Sequence, residues 1–425
     1  MSRSPDRSSA TSRPIPRRLA LAAPFLLAAC GTVERGTAVP QTLQDHTQIL
    51  GIPNARFFPD TQAVALFEEF AAASRREALH LGLPPDTDPR RLPPANLLAL
   101  SGGSDHGAFG AGILVGWTEL GTRPEFKLVT GISTGALTAP LAFVGSSKDP
   151  VLRDVYTAVG PDQIFRMRDW ISILFADALT DTRPLREMLA RHMNEATVGQ
   201  IAEGYRQGRL LLIGTTNLDA MRGVIWNVGA IAASGRPGAA DLIRDLMLAS
   251  ASVPTFFPPV MIQVEAEGRT WQEMHVDGGA MAQTFLYPPA LTQGRNLRAG
   301  ALARARRAWV IRNARLGGEW QQTERGLLPI SGRAISSMIA ASGQNDILRL
   351  QTNAVRDGID FNLTYIGEDF TLPWVRPFDR EWMRALFEYG RLRTVEGRTW
   401  QSSHPALAVR PAGSSTGATA DRRPR

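Results

Sequence analysis

The chain has one cysteine, Cys30, in 425 residues, so it can form no intramolecular disulfide. It has only six histidines, and none of its histidines or its cysteine falls in a metal-binding spacing. It shows no internal repeat. A single glycine-rich loop is present, but no Gly-Lys-Ser/Thr follows it, which argues against a P-loop. Nothing else in the chain has the form of a cofactor motif, so neither a metal nor a cofactor is expected. A basic body is missing too. The net charge of +7 comes from the ends: residues 1–29 carry +4, residues 410–425 carry +3, and residues 30–409 sum to about zero. Basic ends on a neutral body argue against a nucleic-acid partner. The apolar run 19–29 is too short to span a bilayer. What the chain does have is 44% hydrophobic and 20% charged residues, the balance of a globular protein. Its length is ample for a core.

The stretch around Ser133 organises the rest. Leu128-Val129-Thr130-Gly131-Ile132 reads as a short buried strand, and residues 136–144 read as a helix. Between them lies Gly131-x-Ser133-x-Gly135, the spacing of a nucleophile elbow. The small neighbours let the backbone turn sharply, and the N-terminus of the following helix favours negative charge at the serine. Thirty residues upstream, a strand over 96–100 enters Ser101-Gly102-Gly103-Ser104-Asp105-His106-Gly107, and a helix follows over 108–120. Facing a nucleophile, the bare N–H groups of such a loop can stabilise an oxyanion. Taken alone, the loop could equally be a tight turn, with Gly112 and Gly116 allowing close helix packing. Downstream, a strand ends at Asp277 in Met274-His275-Val276-Asp277-Gly278-Gly279. A strand-end carboxylate suits a site on an α/β sheet, although Asp-Gly also makes ordinary turns.

These pieces, in this order, resemble the patatin-like phospholipases. Residues 251–259, Ala-Ser-Val-Pro-Thr-Phe-Phe-Pro-Pro, add to the likeness. The firm motifs span residues 97–279, and a looser likeness reaches about residue 400. The resemblance implies a patatin-like three-layer α/β sandwich, with a mostly parallel sheet and helices on both faces. It implies a Ser133–Asp277 dyad, an oxyanion hole at Gly102, Gly103 and Ser104, and a membrane-lipid ester as substrate. The family loop usually reads Gly-Gly-Gly-x-Arg/Lys-Gly. Here Ser104 replaces the third glycine, and His106 stands at the basic position, where it is expected to give electrostatic support.

Residues 1–29 read as a leader. Leu27-Ala28-Ala29-Cys30 resembles a bacterial lipobox, which implies lipidation of Cys30 and a chain held at the cell envelope, periplasmic or at the outer membrane, by its N-terminal lipid. Arg17-Arg18 hints at twin-arginine export. Residues 30–95 form a tether and helical extension, with a helix over 60–81 capped by Asp60 or Thr61. The catalytic domain is expected over 96–408, and a disordered basic tail over 409–425. Within the domain, the apolar stretch 163–179 reads as buried helix, or else as a lid or acyl-chain wall. A strand over 210–214 pairs with 224–226, and a helix spans 241–252. Strands follow at 309–311 and 361–366, and a helix at 379–397. Asn217 and Asp219 either line the site or form a turn.

Two other functions remain open from the residues. A Ser-His-Asp esterase would need His404, the one histidine after Asp277. An envelope lipoprotein that binds or scaffolds without turnover would account for the altered loop.

Overall fold

The computed structural model describes residues 33–168, 176–288 and 304–407. The leader, Cys30, the tail 409–425 and the central part of the 163–179 stretch lie outside the described residues.

Among the described residues one large sheet dominates. Five strands run parallel at its centre: β2 (Ala95–Leu100), β3 (Leu128–Ile132), β6 (Leu210–Asn217), β10 (Arg306–Arg312) and β11 (Asp360–Tyr365), in the order β6-β3-β2-β10-β11. Antiparallel strands extend it beyond β6. They are β1 (Arg56–Phe57), β7 (Arg222–Asn227) and the hairpin of β8 (Val260–Ala266) with β9 (Arg269–Asp277). A separate two-stranded ribbon joins β4 (Arg166–Met167) to β5 (Thr180–Asp181).

The central strands read as unbroken apolar runs because both of their faces are covered. Side chains alternate across the sheet. Leu98, Leu100, Val129, Leu211 and Ile213 feed one core, while Leu97, Ala99, Leu128, Leu210 and Leu212 feed the other. The second core is closed by α1 (Ala63–His80) and α9 (Leu327–Arg356), through Leu66, Ala73, Ile347 and Leu350. The first is closed by α2 (Gly107–Glu119), α3 (Thr134–Val144), α6 (Glu195–Arg206), α7 (Val228–Ala233), α8 (Ala239–Ser250) and α10 (Arg380–Val395). The outer helices α4 (Asp149–Thr157), beside α3, and α5 (Arg183–His192), beside α8, contribute Leu152, Leu185 and Leu189 to that core. The result is the expected three-layer α/β sandwich. Glycine makes α2 and α10 fit: a Cβ at Gly112 would strike the Phe387 carbonyl, and one at Gly390 the Phe109 carbonyl.

Several boundaries differ from expectation. The first helix is preceded by Gln62, not capped by Asp60 or Thr61. Asp60 is drawn away by Arg222, at 2.9 and 2.7 Å. The strand expected over 210–214 runs on to Asn217, because Thr215, Thr216 and Asn217 find partners in both β7 and β9. The described residues of 163–179 form no α-helix: Pro161–Gln163 is a 3-10 turn and Arg166–Met167 is a strand. The long helix α9 was not foreseen. Its first half is rich in serine, and Ser336 and Ser337 bond back to the carbonyls of Gly332 and Arg333 at 2.9 Å each, a pattern that weakens helical signals.

Candidate active site

Register explains why Ser133 and Asp277 meet. The β3–β6 ladder stops at Ile132 opposite Gly214, and at the next residue of β6, Thr215, the partner becomes Asp277 of β9. Strand β9 thus takes over the row that β3 leaves when it turns at Ser133. The glycine loop ends β2, the neighbour of β3 on its other side. All three motifs therefore sit at the C-terminal edge of the parallel strands, where α/β sheets place their sites.

Ser133 has φ 55° and ψ −126°, a strained conformation for a residue with a side chain and one that clusters at active sites. The flanking glycines permit it. A Cβ at Gly131 would strike the Gly135 carbonyl, and one at Gly135 the Leu100 carbonyl. The turn is locked from behind by Ser250. Its hydroxyl accepts the Ser133 N–H at 3.0 Å and donates to the Gly214 carbonyl at 2.6 Å. Ser250 carries no motif, and only its place late in a helix preceding the 251–259 segment hints at it.

The Asp277 carboxyl is buried, with the residue 5% exposed. Burial pushes its pKa from 3.8 up to about 7, against the pull of hydrogen bonds from the Ser133 hydroxyl and the Gly279 N–H. The Gly279 bond is 2.7 Å long and fixes the carboxyl over the turn that follows. The Asp277 carbonyl accepts from Thr216 Oγ1 at 3.0 Å. Two residues earlier, His275 is fully buried between Thr215 Oγ1 (2.9 Å) and Glu273 Oε2 (3.0 Å). Burial holds its pKa below the usual histidine value. Glu273 is in turn bound by Arg56 Nη2 at 3.0 Å. This network pins β9 beneath Asp277 and is not linked to Ser133.

The glycine loop is arranged differently from the expectation. The Gly102 N–H does not face the nucleophile, because it donates to the Gln283 carbonyl at 3.0 Å. The Gln283 N–H is itself held by Asp346 of α9 at 2.6 Å. The N–H groups of Gly103 and Ser104 have no acceptor among the described residues. Gly103 adopts φ 154°, and a Cβ there would strike the Asn313 carbonyl. Ser104 takes the left-handed φ of 54° that the family's glycine would take freely. Asn313 clamps the loop. Its N–H donates to Ser101 Oγ at 2.8 Å, its Nδ2 to the Ser101 carbonyl at 2.9 Å, and its Oδ1 accepts from Gly110 at 3.1 Å. Asn313 went unnoticed in the sequence. Its only signal is a polar residue just past a strand end.

His106 turns away from the nucleophile. Its Nδ1 lies 3.2 Å from Asp105 Oδ1, its Nε2 lies 4.0 Å from Glu319, and its ring meets Trp382 edge-on at 4.8 Å. It braces the loop rather than facing the oxyanion position. Asp105 is buried and also accepts from Trp374 Nε1 and the Phe378 N–H, each at 2.9 Å. Burial opposes its ionisation, but His106, Trp374 and Phe378 outweigh that and lower its pKa.

His404 is distant from the site. Its N–H donates to Gln351 at 2.6 Å, its Nδ1 accepts from Ala406 at 3.0 Å, and the nearby Gln401 bridges to β11. That edge is three strands from β3, roughly 14 Å away at the usual strand spacing. Asn217 and Asp219 do not line the site. Asn217 accepts from Ala220 at 3.2 Å, and Asp219 pairs with Arg35 at 2.7 Å.

An apolar cavity opens at Ser133 and Ser104. It runs along Leu137 and Leu141 of α3 toward Met188 and Leu189 of α5 and ends by Val151 and His192. Ile164 lines it, and Phe165 next to it packs on Phe257 and Phe378. This part of the 163–179 stretch serves as wall.

Residues 98–289 match the family described as patatin-like phospholipase. No curated protein matches significantly. Among solved structures, VipD from Legionella pneumophila is similar at 12% identity and a TM-score of 0.34, over 72% of this chain and 67% of that one. Human GIVD cytosolic phospholipase A2 is similar at 12% identity and a TM-score of 0.28, over 61% of this chain and 49% of that one. The chain thus spans about half the length of the human enzyme, and both likenesses are too distant to bear on details. Residues 98–289, the segment that carries the elbow, the glycine loop and Asp277, are thus a patatin-like phospholipase domain.

Proposed function

We propose that this protein hydrolyses carboxylic esters of membrane phospholipids or lysophospholipids through an acyl-Ser133 intermediate, with Asp277 as the only side-chain base. The observation that carries the proposal is the convergence of the strained turn at Ser133 with the buried carboxyl of Asp277, which the strand register places where β3 ends, at the mouth of an apolar cavity. Ser133 Oγ attacks the ester carbonyl while its proton passes to Asp277. The negative charge that builds on the carbonyl oxygen is held by the Gly103 and Ser104 N–H groups. Each such donor is worth roughly 3–4 kcal/mol. The intermediate collapses, and the leaving alkoxide takes the proton back from Asp277. Water then attacks the acyl-serine and gives a proton to Asp277; as the second tetrahedral intermediate collapses, Asp277 returns that proton to Ser133 Oγ, and the fatty acid is released. The acyl chain lies in the cavity beside Leu137 and Leu141.

Two features support this reading over a scaffold without turnover. Ser104 adopts a left-handed backbone in spite of its side chain, and the N–H groups of Gly103 and Ser104 have no acceptor among the described residues. The test is lipid hydrolysis together with covalent labelling by a fluorophosphonate, each expected to vanish in Ser133→Ala.

The same proposal includes anchoring at the bacterial envelope through diacylated Cys30, supported by the Leu-Ala-Ala-Cys sequence. Acyl chains in pairs hold a protein stably where one is marginal. Mass spectrometry of the native N-terminus should find a diacylated cysteine, and a free, unmodified Cys30 would refute the anchor.

A further inference from the structure

Around the cavity mouth the described residues include apolar side chains that are exposed. On one side they are tied to the glycine loop itself. Glu319, 4.0 Å from His106, precedes Trp320, which is 89% exposed. Arg333 bonds the Glu319 carbonyl, which holds the start of α9 to the same place. There Leu327 is 82% and Ile330 52% exposed. Trp374 donates to Asp105 at 2.9 Å, and its neighbour Val375 is 78% exposed. On the opposite lip, Thr180 bonds the Phe256 carbonyl and pairs with Met167, and both Phe256 and Met167 are exposed. Phe257 and Phe378, the next residues inward, line the cavity.

We infer that this rim is a docking surface for a lipid bilayer. The inference rests on the proposed lipid-ester activity. Scattered apolar residues on a surface mean little, but these are tied by contacts to the glycine loop or to the cavity wall at Phe257 and Phe378, beside the opening that must receive a lipid. Ser133 is only 7% exposed, so the substrate has to leave its bilayer and enter the protein. If the mouth stood in water, each methylene of the acyl chain would be hydrated on the way. A rim seated in the interface removes that crossing. Tryptophan favours the headgroup level of a membrane, and two tryptophans flank the loop. Exposed Arg325 and Arg380 stand near these residues in the chain, suited to phosphate groups, while Arg376 is held by Asp379 at 2.8 Å.

The experiment uses full-length Ser133→Ala, Cys30→Ser protein, so that neither turnover nor a lipid anchor contributes. Co-sedimentation with phosphatidylcholine–phosphatidylglycerol vesicles should show binding. Adding Trp320→Ala, Leu327→Ser and Val375→Ser should weaken binding at least tenfold. In the Ser133-containing protein, the same three changes should leave hydrolysis of a soluble short-chain ester within about twofold, which shows that the fold and site survive. As a second measurement, brominated lipids should quench part of the tryptophan fluorescence, and Trp320→Phe should remove much of that quenching. Equal vesicle binding with and without the triple change, or quenching unaltered by Trp320→Phe, would overturn the proposal. So would a rim that proves to pair two copies of the chain and leaves vesicle binding unchanged when disrupted. Vesicle binding without any ester hydrolysis by the Ser133 protein would sustain the docking surface and refute the activity instead.

Discussion

At the scale of single residues the account turns on the protonation of Asp277. Its carboxyl is raised from 3.8 to about 7, first by burial. A base must be ionised to accept a proton, so kcat/KM should rise nearly tenfold per pH unit up to about 7 and level off above it. Stability runs the other way. A carboxyl whose folded pKa is raised favours the folded state fully only below its unfolded value near 3.8, and that advantage is lost as pH rises to about 7. Above that, the folded chain holds a buried carboxylate at a disadvantage of roughly 4 kcal/mol relative to acid conditions. Asp277→Asn should therefore lose hydrolysis yet melt higher than the parent at pH 8, with a smaller gap at pH 5. Calorimetry and a pH–rate profile check both halves, and a flat profile or equal melting at pH 8 counts against them. Ser133 and Asp277 were legible in the sequence because the backbone around each demands small neighbours and a sharp turn. The roles of Gly102 and His106 were not. Which way each points is decided by Gln283, Glu319 and Trp382, contacts far off in the sequence that no local pattern encodes.

At the scale of elements, α3 and α5 form the cavity. Ser133 to Leu141 covers about 12 Å of helix rise, which sets the depth available beside Leu137 and Leu141. Leu189 faces this space from α5 and is buried. Leu189→Trp should fill the deep end and shift preference toward shorter acyl chains, lowering kcat/KM for long-chain esters at least tenfold while short-chain esters change little. A series of esters of graded chain length reads this out, and an unchanged chain-length profile would remove the cavity from substrate binding. The central strands and their flanking helices were readable from periodicity because each is apolar in a simple pattern. Of the antiparallel β8–β9 hairpin only β9 was foreseen, although β8 alternates in burial as a half-covered strand does. Helix α9 was missed because Pro329, Gly332 and three serines interrupt its first half, whose apolar residues Leu327, Ile330 and Met338 are exposed and not packed in the core. Yet α9 supplies Asp346, which holds Gln283 and through it Gly102.

At the scale of the whole molecule, the sheet acts as a jig. Three motifs spread over residues 101–279 become neighbours because β2 and β3 are adjacent and because β9 continues the row that β3 vacates at Thr215. The order of motifs could be read from the sequence, but that change of partner is a matter of register between distant strands and could not. The most direct test of the central claim is to locate the covalent adduct. Purified protein treated with a fluorophosphonate, digested and analysed by mass spectrometry should carry the label on Ser133. Ser133→Ala should show neither label nor lipid hydrolysis. Asp277→Asn should label at least a hundredfold more slowly, and His404→Ala at the parent rate. Label on another serine, hydrolysis surviving in Ser133→Ala, or a rate that depends on His404 and not on Asp277, would contradict the account.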